Sequence, residues 1–223
     1  LAVGFVLGRR IGLAGGIRPF VDQRLRRGIE IADPKLRCQA ERPGVAHAAI
    51  GGNHFIHACR RNIGITAVVM NNNIYGMTGG QASPTTPEGA FAATAPYGAI
   101  DPTFDICKLA EGAGATYVAR ATVAQPAMCE QILKKAIQHQ KKGFAVVELV
   151  TFCHTQFGRK NKRSRPMDNI NYLKDNSVMK AKADTMTAEE LKGKIIIGEF
   201  VNIEDAREYT ERYDEIIARA QKA

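Results

Sequence analysis

The chain has 223 residues, 45% of them hydrophobic and 24% charged, a balance that fits a folded globular protein and excludes an intrinsically disordered one. No apolar run approaches the roughly 20 residues needed to cross a bilayer. The opening Leu1–Arg10 makes a poor signal peptide, because its apolar stretch is short and its arginines follow it. A cytoplasmic protein with no membrane contact is the expectation.

The formal charge of +9 raises the question of nucleic acid. Its distribution argues otherwise. Residues 1–49 hold nine Lys/Arg against four acids, which leaves 22 basic and 18 acidic residues for the other 174. The one dense basic run, Arg159–Arg165, has no interleaved aromatics on which bases would stack. A solvated loop or a docking surface for an acidic partner suits it better. Five cysteines stand at 38, 59, 107, 129 and 153. The odd count and the wide spacing argue against a disulfide framework, and no Cys-x-x-Cys supplies a self-contained zinc or iron–sulfur motif. Most of these thiols are expected to be small buried hydrophobes.

Residues 1–47 are rich in Arg and Gly and sustain neither a period of two nor one of 3.6. Asn53–Arg61 then has a helical pattern, with Phe55, Ile56 and Cys59 on one side and Asn53 as a cap. Ile65–Met70 is a β-branched run ending at an Asn cluster, which reads as a buried parallel strand entering a loop. Ala82–Pro102 is too long for a mere connector, and loops of that length are usually functional.

Asp105–Gly112 reads as a short helix with an Asp cap and a Gly stop. Ala115–Ala119 is a second strand, Val123–Lys141 mostly a helix, and Phe144–Val150 a third strand. This alternation implies βαβ units and a parallel sheet, whose ligands sit beyond the carboxyl ends of the strands. Residues 152–223 are polar and Lys-rich. Within them Gly193–Glu199 looks like another short strand, and Asp205–Ala220 like an amphipathic helix packing one face on the domain.

The residues most able to carry chemistry are Met70–Gln81, MNNNIYGMTGGQ. Asn side-chain oxygens and backbone carbonyls are hard donors suited to Mg²⁺, which takes one or two protein ligands with phosphate oxygens and water. Glycines at 76, 79 and 80 let the backbone approach an anion closely. The same residues also make an ordinary Asn/Gly turn, and composition alone favours that plainer reading.

The stretch IGGNHFIHACRRNIGITAVVMNNNIYGMTGGQASPTTP resembles the thiamine-diphosphate signature of 2-oxoacid:ferredoxin oxidoreductase beta subunits. The likeness continues through APYG at Ala95–Gly98, FDICKLAEGAGATYVAR, FCHTQFGRKN and GKIIIGEFVN, so it spans about residues 48–223. It is greatest for members that act on 2-oxoglutarate. The resemblance implies an α/β thiamine-diphosphate-binding fold, with a parallel sheet flanked by helices and a small C-terminal extension. It divides the chain into a degenerate N-terminal segment (1–47), the cofactor-binding domain (48–151) and a family-specific C-terminal segment (152–223).

By the same resemblance, Asn72 is the Mg²⁺-ligating side chain and Ile74 donates a backbone carbonyl to the metal. Tyr75, Gly76, Met77 and Thr78 flank the diphosphate and thiamine. Gly51, Gly52 and His54 lie at the helix start beside the diphosphate, although His54 and His57 read better as neutral helix-face histidines than as metal ligands. Cys153 stands where the family has a cysteine ligand to a [4Fe–4S] cluster. The implied reaction is CoA-dependent oxidative decarboxylation of a 2-oxoacid to an acyl-CoA, with electrons passed to ferredoxin and an alpha subunit completing the active site. Pyruvate- or branched-chain-specific members, or a non-catalytic subunit, are the alternatives.

One departure bears on that last alternative. The family's second Mg²⁺ ligand is an aspartate in a Gly-Asp-Gly-Asp segment, and here that place reads Pro43-Gly44-Val45-Ala46. The N-terminal Cys-x-x-Cys and a later Gly-Cys-Ser are absent as well. Gly28–Leu36 briefly regains the family pattern. The expectation is that the segments around it are out of frame or corrupted, and that the true start is missing.

Overall fold

The computed structural model describes residues 51–222 in full and the backbone course of two further segments, β1 (Ala2–Gly8) and β2 (Leu36–Gln39). The place of the missing aspartate, residues 43–46, most of the island at 28–36 and the side chain of Cys38 lie outside the described residues.

The first described helix, α1 (Gly52–Arg61), starts one residue before the sequence pattern does, and Gly51 takes the cap position in place of Asn53. It ends at Asn62, which adopts the left-handed conformation at φ 54°. A tight turn then leads into β3 (Ile65–Asn71). Further along come α2 (Ile106–Gly112), β4 (Tyr117–Thr122), α3 (Pro126–His139) and β5 (Ala145–Val150). Asp105 caps α2 as expected, its side chain accepting from the Lys108 N–H. The left-handed stop falls at Gly114 (φ 85°) and not at Gly112.

β3, β5 and β4 lie side by side and parallel. Side chains alternate across this sheet. One set (Ala67, Val69, Val118, Val146) packs on Phe55 and Cys59 of α1 and on Ile106, Cys107 and Ala110 of α2. The other set (Tyr117, Ala119, Ala121, Ala145, Val147, Leu149) packs on Ile132 and Ala136 of α3. Every residue of β5 is buried. The three-layer α/β architecture expected from the alternating elements is therefore present.

With β6 (Ser177–Met179) and β7 (Ile195–Asn202) added, the full sheet order is β2-β1-β3-β5-β4-β7-β6, and the sheet as a whole is mixed. β1 is antiparallel to β3, and β7 is antiparallel to β4. Periodicity reveals that a strand exists but not which way it runs, so the mixed edges were not legible.

The polar segment after β5 holds more structure than its composition suggests. A π-helical turn (His154–Gly158) is followed by α4 (Pro166–Asn176), β6 (Ser177–Met179), α5 (Lys180–Ala183) and α6 (Ala188–Leu191). The final helix, α7 (Tyr209–Ala220), forms, but the expectation that one face would pack on the domain fails. None of its residues is buried, and Tyr209, Tyr213, Ile216 and Ile217 stand exposed. Among the described residues, no helix is long and apolar enough to cross a membrane.

Candidate cofactor site

β3 carries Asn71 to the carboxyl edge of the parallel strands and releases the chain into Asn72–Gln81. β5 ends at the same edge and releases Thr151–Gly158. α1 precedes β3 through a short turn and packs on the sheet through Phe55 and Cys59. Two chain segments thus leave the sheet where α/β sheets hold ligands.

The loop is built by its own side chains. Asn72 Oδ1 accepts from the Ile74 N–H at 3.2 Å, and Asn73 takes a positive φ of 62°. Asn tolerates both roles better than other residues with a side chain. The Ile74 side chain is wholly buried against Ala92 and Phe157, which fixes the backbone at that point. Among the described residues no donor reaches its carbonyl. Beyond it, the Tyr75 N–H donates to the Gln81 carbonyl at 3.0 Å and the Gly80 N–H to the Tyr75 carbonyl at 2.9 Å. Thr78 Oγ1 donates to Gln81 Oε1 at 2.6 Å. Gly80 has a φ of 86°, and a Cβ there would stand 2.8 Å from Gln156 Oε1.

Cys153 closes the other side. A Cβ on Gly76 would come within 3.1 Å of its Sγ and 3.7 Å of Asn72 Nδ2, so the bare backbone at Gly76 is what lets these groups share one corner. Burial pushes the Cys153 thiol up. The Thr155 hydroxyl and the N–H groups of Gln156, Phe157 and Thr155 outweigh that, and hold it below the usual thiol value. Its thiolate therefore forms more readily than that of an ordinary cysteine.

The residues singled out from the sequence fall into three sets. Asn72, Ile74, Tyr75, Gly76 and Cys153 meet at the loop base. Met77, 93% exposed, and Thr78 sit at the solvent-facing tip. Gly51, Gly52 and His54 form the first turn of α1, and among the described residues no hydrogen bond joins them to the loop. That turn holds no acidic residue and no side-chain cap, so no side chain within it offsets the positive end of the helix dipole. His54 and His57 are exposed.

What the sequence reading missed is the polar layer underneath. Glu148, in the middle of β5, is 2% exposed. It accepts from Asn71 Nδ2 at 2.7 Å and from Arg120 Nε at 2.6 Å, while Arg120 Nη2 reaches Asp105 at 2.7 Å. Burial opposes the charge on Arg120, and Glu148 with Asp105 overcomes it, keeping the guanidinium firmly protonated. The cluster Asp105, Cys107 and Glu148 has the donors of a metal site, but the guanidinium already supplies its cation. A carboxylate inside an otherwise apolar strand, FAVVELV, was the available signal.

Residues 46–149 match the family described as thiamine pyrophosphate enzyme, C-terminal TPP binding domain. The class is thus a thiamine-diphosphate-binding domain. The 2-oxoglutarate synthase subunit KorB of Methanocaldococcus jannaschii is 53% identical over 192 residues, covering 86% of this chain and 70% of that protein. The 2-oxoacid:ferredoxin oxidoreductase subunit beta of Saccharolobus solfataricus is 37% identical over 128 residues, covering 57% and 41%. Among solved structures, the 2-oxoglutarate:ferredoxin oxidoreductase of Magnetococcus marinus, with 2-oxoglutarate, coenzyme A and succinyl-CoA bound, superposes with a TM-score of 0.63. It shares 29% identity and covers 78% of this chain and 58% of that one. The chain belongs to the family of 2-oxoacid:ferredoxin oxidoreductase beta subunits, an oxidoreductase family, as its motifs indicated. It spans 61% of the Methanothermobacter marburgensis subunit KorB as well, so it corresponds to part of these relatives.

Proposed function

We propose that this chain is the thiamine-diphosphate-binding subunit of a CoA-dependent 2-oxoglutarate:ferredoxin oxidoreductase. The observation that carries the proposal is the Asn72–Ile74 turn at the carboxyl edge of the sheet. It pairs a side-chain amide oxygen with a backbone carbonyl that no described group engages. Those are donors for Mg²⁺, and the start of α1, which carries no side-chain cap, would offer its dipole to a diphosphate. Asn72 and Ile74 would hold the metal, Gly51, Gly52 and His54 would lie beside the diphosphate, and Tyr75, Gly76, Met77 and Thr78 would flank the cofactor. When bound, thiamine diphosphate supplies the electron sink for loss of CO₂ from a 2-oxoacid. The protein's task is to anchor it and keep water away.

Cys153 is proposed as one thiolate ligand of a [4Fe–4S] cluster, a role its lowered pKa and its place beside Gly76 support. Residues 48–151 form the cofactor-binding unit in this reading and 152–223 the family-specific segment, within a cytoplasmic complex containing an alpha subunit. The test is assembly of the chain with an alpha subunit, followed by ferredoxin reduction dependent on 2-oxoglutarate and CoA. Reduction with 2-oxoglutarate is the expected result, and reduction by pyruvate or branched-chain 2-oxoacids alone would move the chain to another member of the family. A non-catalytic subunit is the second reading, favoured by Pro43-Gly44-Val45-Ala46 standing where the family has its aspartate. Retained cofactor binding with no turnover on any 2-oxoacid would establish it.

A further inference from the structure

The buried acid of β5 lies in register with the site. Glu148 pairs across the sheet with Arg120 of β4 on one side and Val69 of β3 on the other. Asn71 is two residues beyond Val69 and therefore projects from the same face. Both ends of the Asn71 amide are engaged. Its Nδ2 donates to Glu148, and its Oδ1 accepts from the Asn73 N–H at 3.0 Å and from Thr85 Oγ1 at 2.8 Å. Thr86 Oγ1, in turn, donates to the Asn73 carbonyl at 2.7 Å. An amide has one donating and one accepting end, and only one orientation serves all these partners. Glu148 selects that orientation, because a carboxylate accepts and cannot donate. Arg120, anchored by Asp105, holds the carboxylate in place and neutralises it.

We propose that Glu148 and Asn71 are positioning residues that set the Asn72–Ile74 turn and lock it to the Thr85–Thr86 segment. The ligand they serve rests on the proposed function above; the positioning itself does not. With the amide turned over, Oδ1 would leave Asn73 N–H and Nδ2 would face it, donor against donor. The left-handed turn at Asn73 would lose its anchor, and with it the direction of the Asn72 oxygen and the Ile74 carbonyl. Leaving such buried polar groups unmatched is costly, whereas exchanging both partners for an equally matched pair is not.

That asymmetry gives the experiment. Asn71→Asp sets two carboxylates against each other, and Glu148→Gln sets two amide donors against each other or faces Arg120 with one. The double variant N71D/E148Q reverses the polarity of the bond. The amide introduced on β5 then donates to the carboxylate introduced on β3, and its oxygen still accepts from Arg120. The β3 carboxylate still accepts from Asn73 and Thr85, and the net charge is unchanged. Amide hydrogen exchange of the full chain reads the loop directly. Each single variant is expected to raise exchange at Asn73, Ile74 and Thr86 by about tenfold or more, with Val146 and Val147 unchanged. The double variant is expected to return the loop to near the parent rate. Unchanged loop exchange in the singles, or a folded double variant that recovers nothing, overturns the proposal. If the double variant does not fold, Thr85→Val carries the test, since it removes one of the two donors to Asn71 Oδ1 at nearly constant volume. Faster loop exchange is expected there, and parent-like exchange overturns the proposal. Titration of the same proteins with Mg²⁺ and thiamine diphosphate keeps the two ideas apart. Absence of binding in the parent would remove the cofactor reading while the exchange data still decide the positioning.

Discussion

Four of the chain's cysteines lie among the described residues and are free, and their surroundings rank them. Burial pushes the Cys59 thiol up to about 12, and Cys107 rises well above the ordinary value through burial and the field of Glu148. Burial also raises Cys129. Cys153 alone moves down, because the donors of the π-helical turn outweigh its burial. The thiolate is the nucleophile, so a lowered pKa moves the rise of reactivity to lower pH. Iodoacetamide labelling followed by mass spectrometry is expected to modify Cys153 about tenfold faster than Cys129 near neutral pH. The midpoint of the Cys153 rate profile should also lie on the acid side of the Cys129 profile. Labelling of Cys129 ahead of Cys153 would contradict this assignment. At this scale the sequence was legible where a residue type advertises its chemistry. Asn72, Gly76 and Cys153 do so, and they do meet. Asn71 and Asn73 look identical to Asn72 in a run of three, and only the folded register gives each a separate partner. Arg120 and Glu148 sit 28 residues apart, beyond the reach of any local pattern.

At the scale of elements, the edge of the sheet opposite the cofactor site is tied together by side chains at turns. Asn62 Oδ1 accepts from the Thr116 hydroxyl and the Phe144 N–H, and its Nδ2 donates to the carbonyls of Lys142 and Arg207. Glu208, buried, accepts from the Gly64 N–H at 3.0 Å and caps α7 through Thr210. The α1–β3 turn is thereby joined to the start of α7, while the rest of that helix stands clear. Glu208→Ala is expected to cost about 1–3 kcal/mol, because it strands the buried Gly64 N–H. Ile216→Ser on the exposed face of α7 should change stability by no more than about 0.5 kcal/mol. Urea unfolding of the two variants checks the contrast, and a larger loss for Ile216→Ser would mean that α7 packs against the chain after all. The amphipathic pattern of α7 was visible in the sequence, and it gives a helix correctly. It does not say what the apolar stripe faces, since burial by this chain and burial by another leave the same pattern. The helices and the short strand between β5 and β7 went unread for the converse reason. Their segments are short and polar, and local bonds such as the Thr187–Glu190 capping box hold α6 without an apolar period.

For the whole molecule, the central parallel strands and the helices on their two faces bring one loop and one thiol-bearing turn to a single edge. The alternation of short apolar runs and helical patterns predicts that convergence, because parallel strands released from the same edge deliver their loops together. It predicts neither the antiparallel partners β1 and β7 nor the charged layer beneath the loop. The central claim is that the Asn72–Ile74 turn is the metal end of a thiamine-diphosphate site. The most direct measurement is a titration of thiamine diphosphate into the chain, alone and assembled with an alpha subunit, with and without Mg²⁺. Saturable, Mg²⁺-dependent binding is expected, and Asn72→Ala should weaken it by about 100-fold without loss of folded structure. No binding in either setting, or binding indifferent to Asn72→Ala, would contradict the claim.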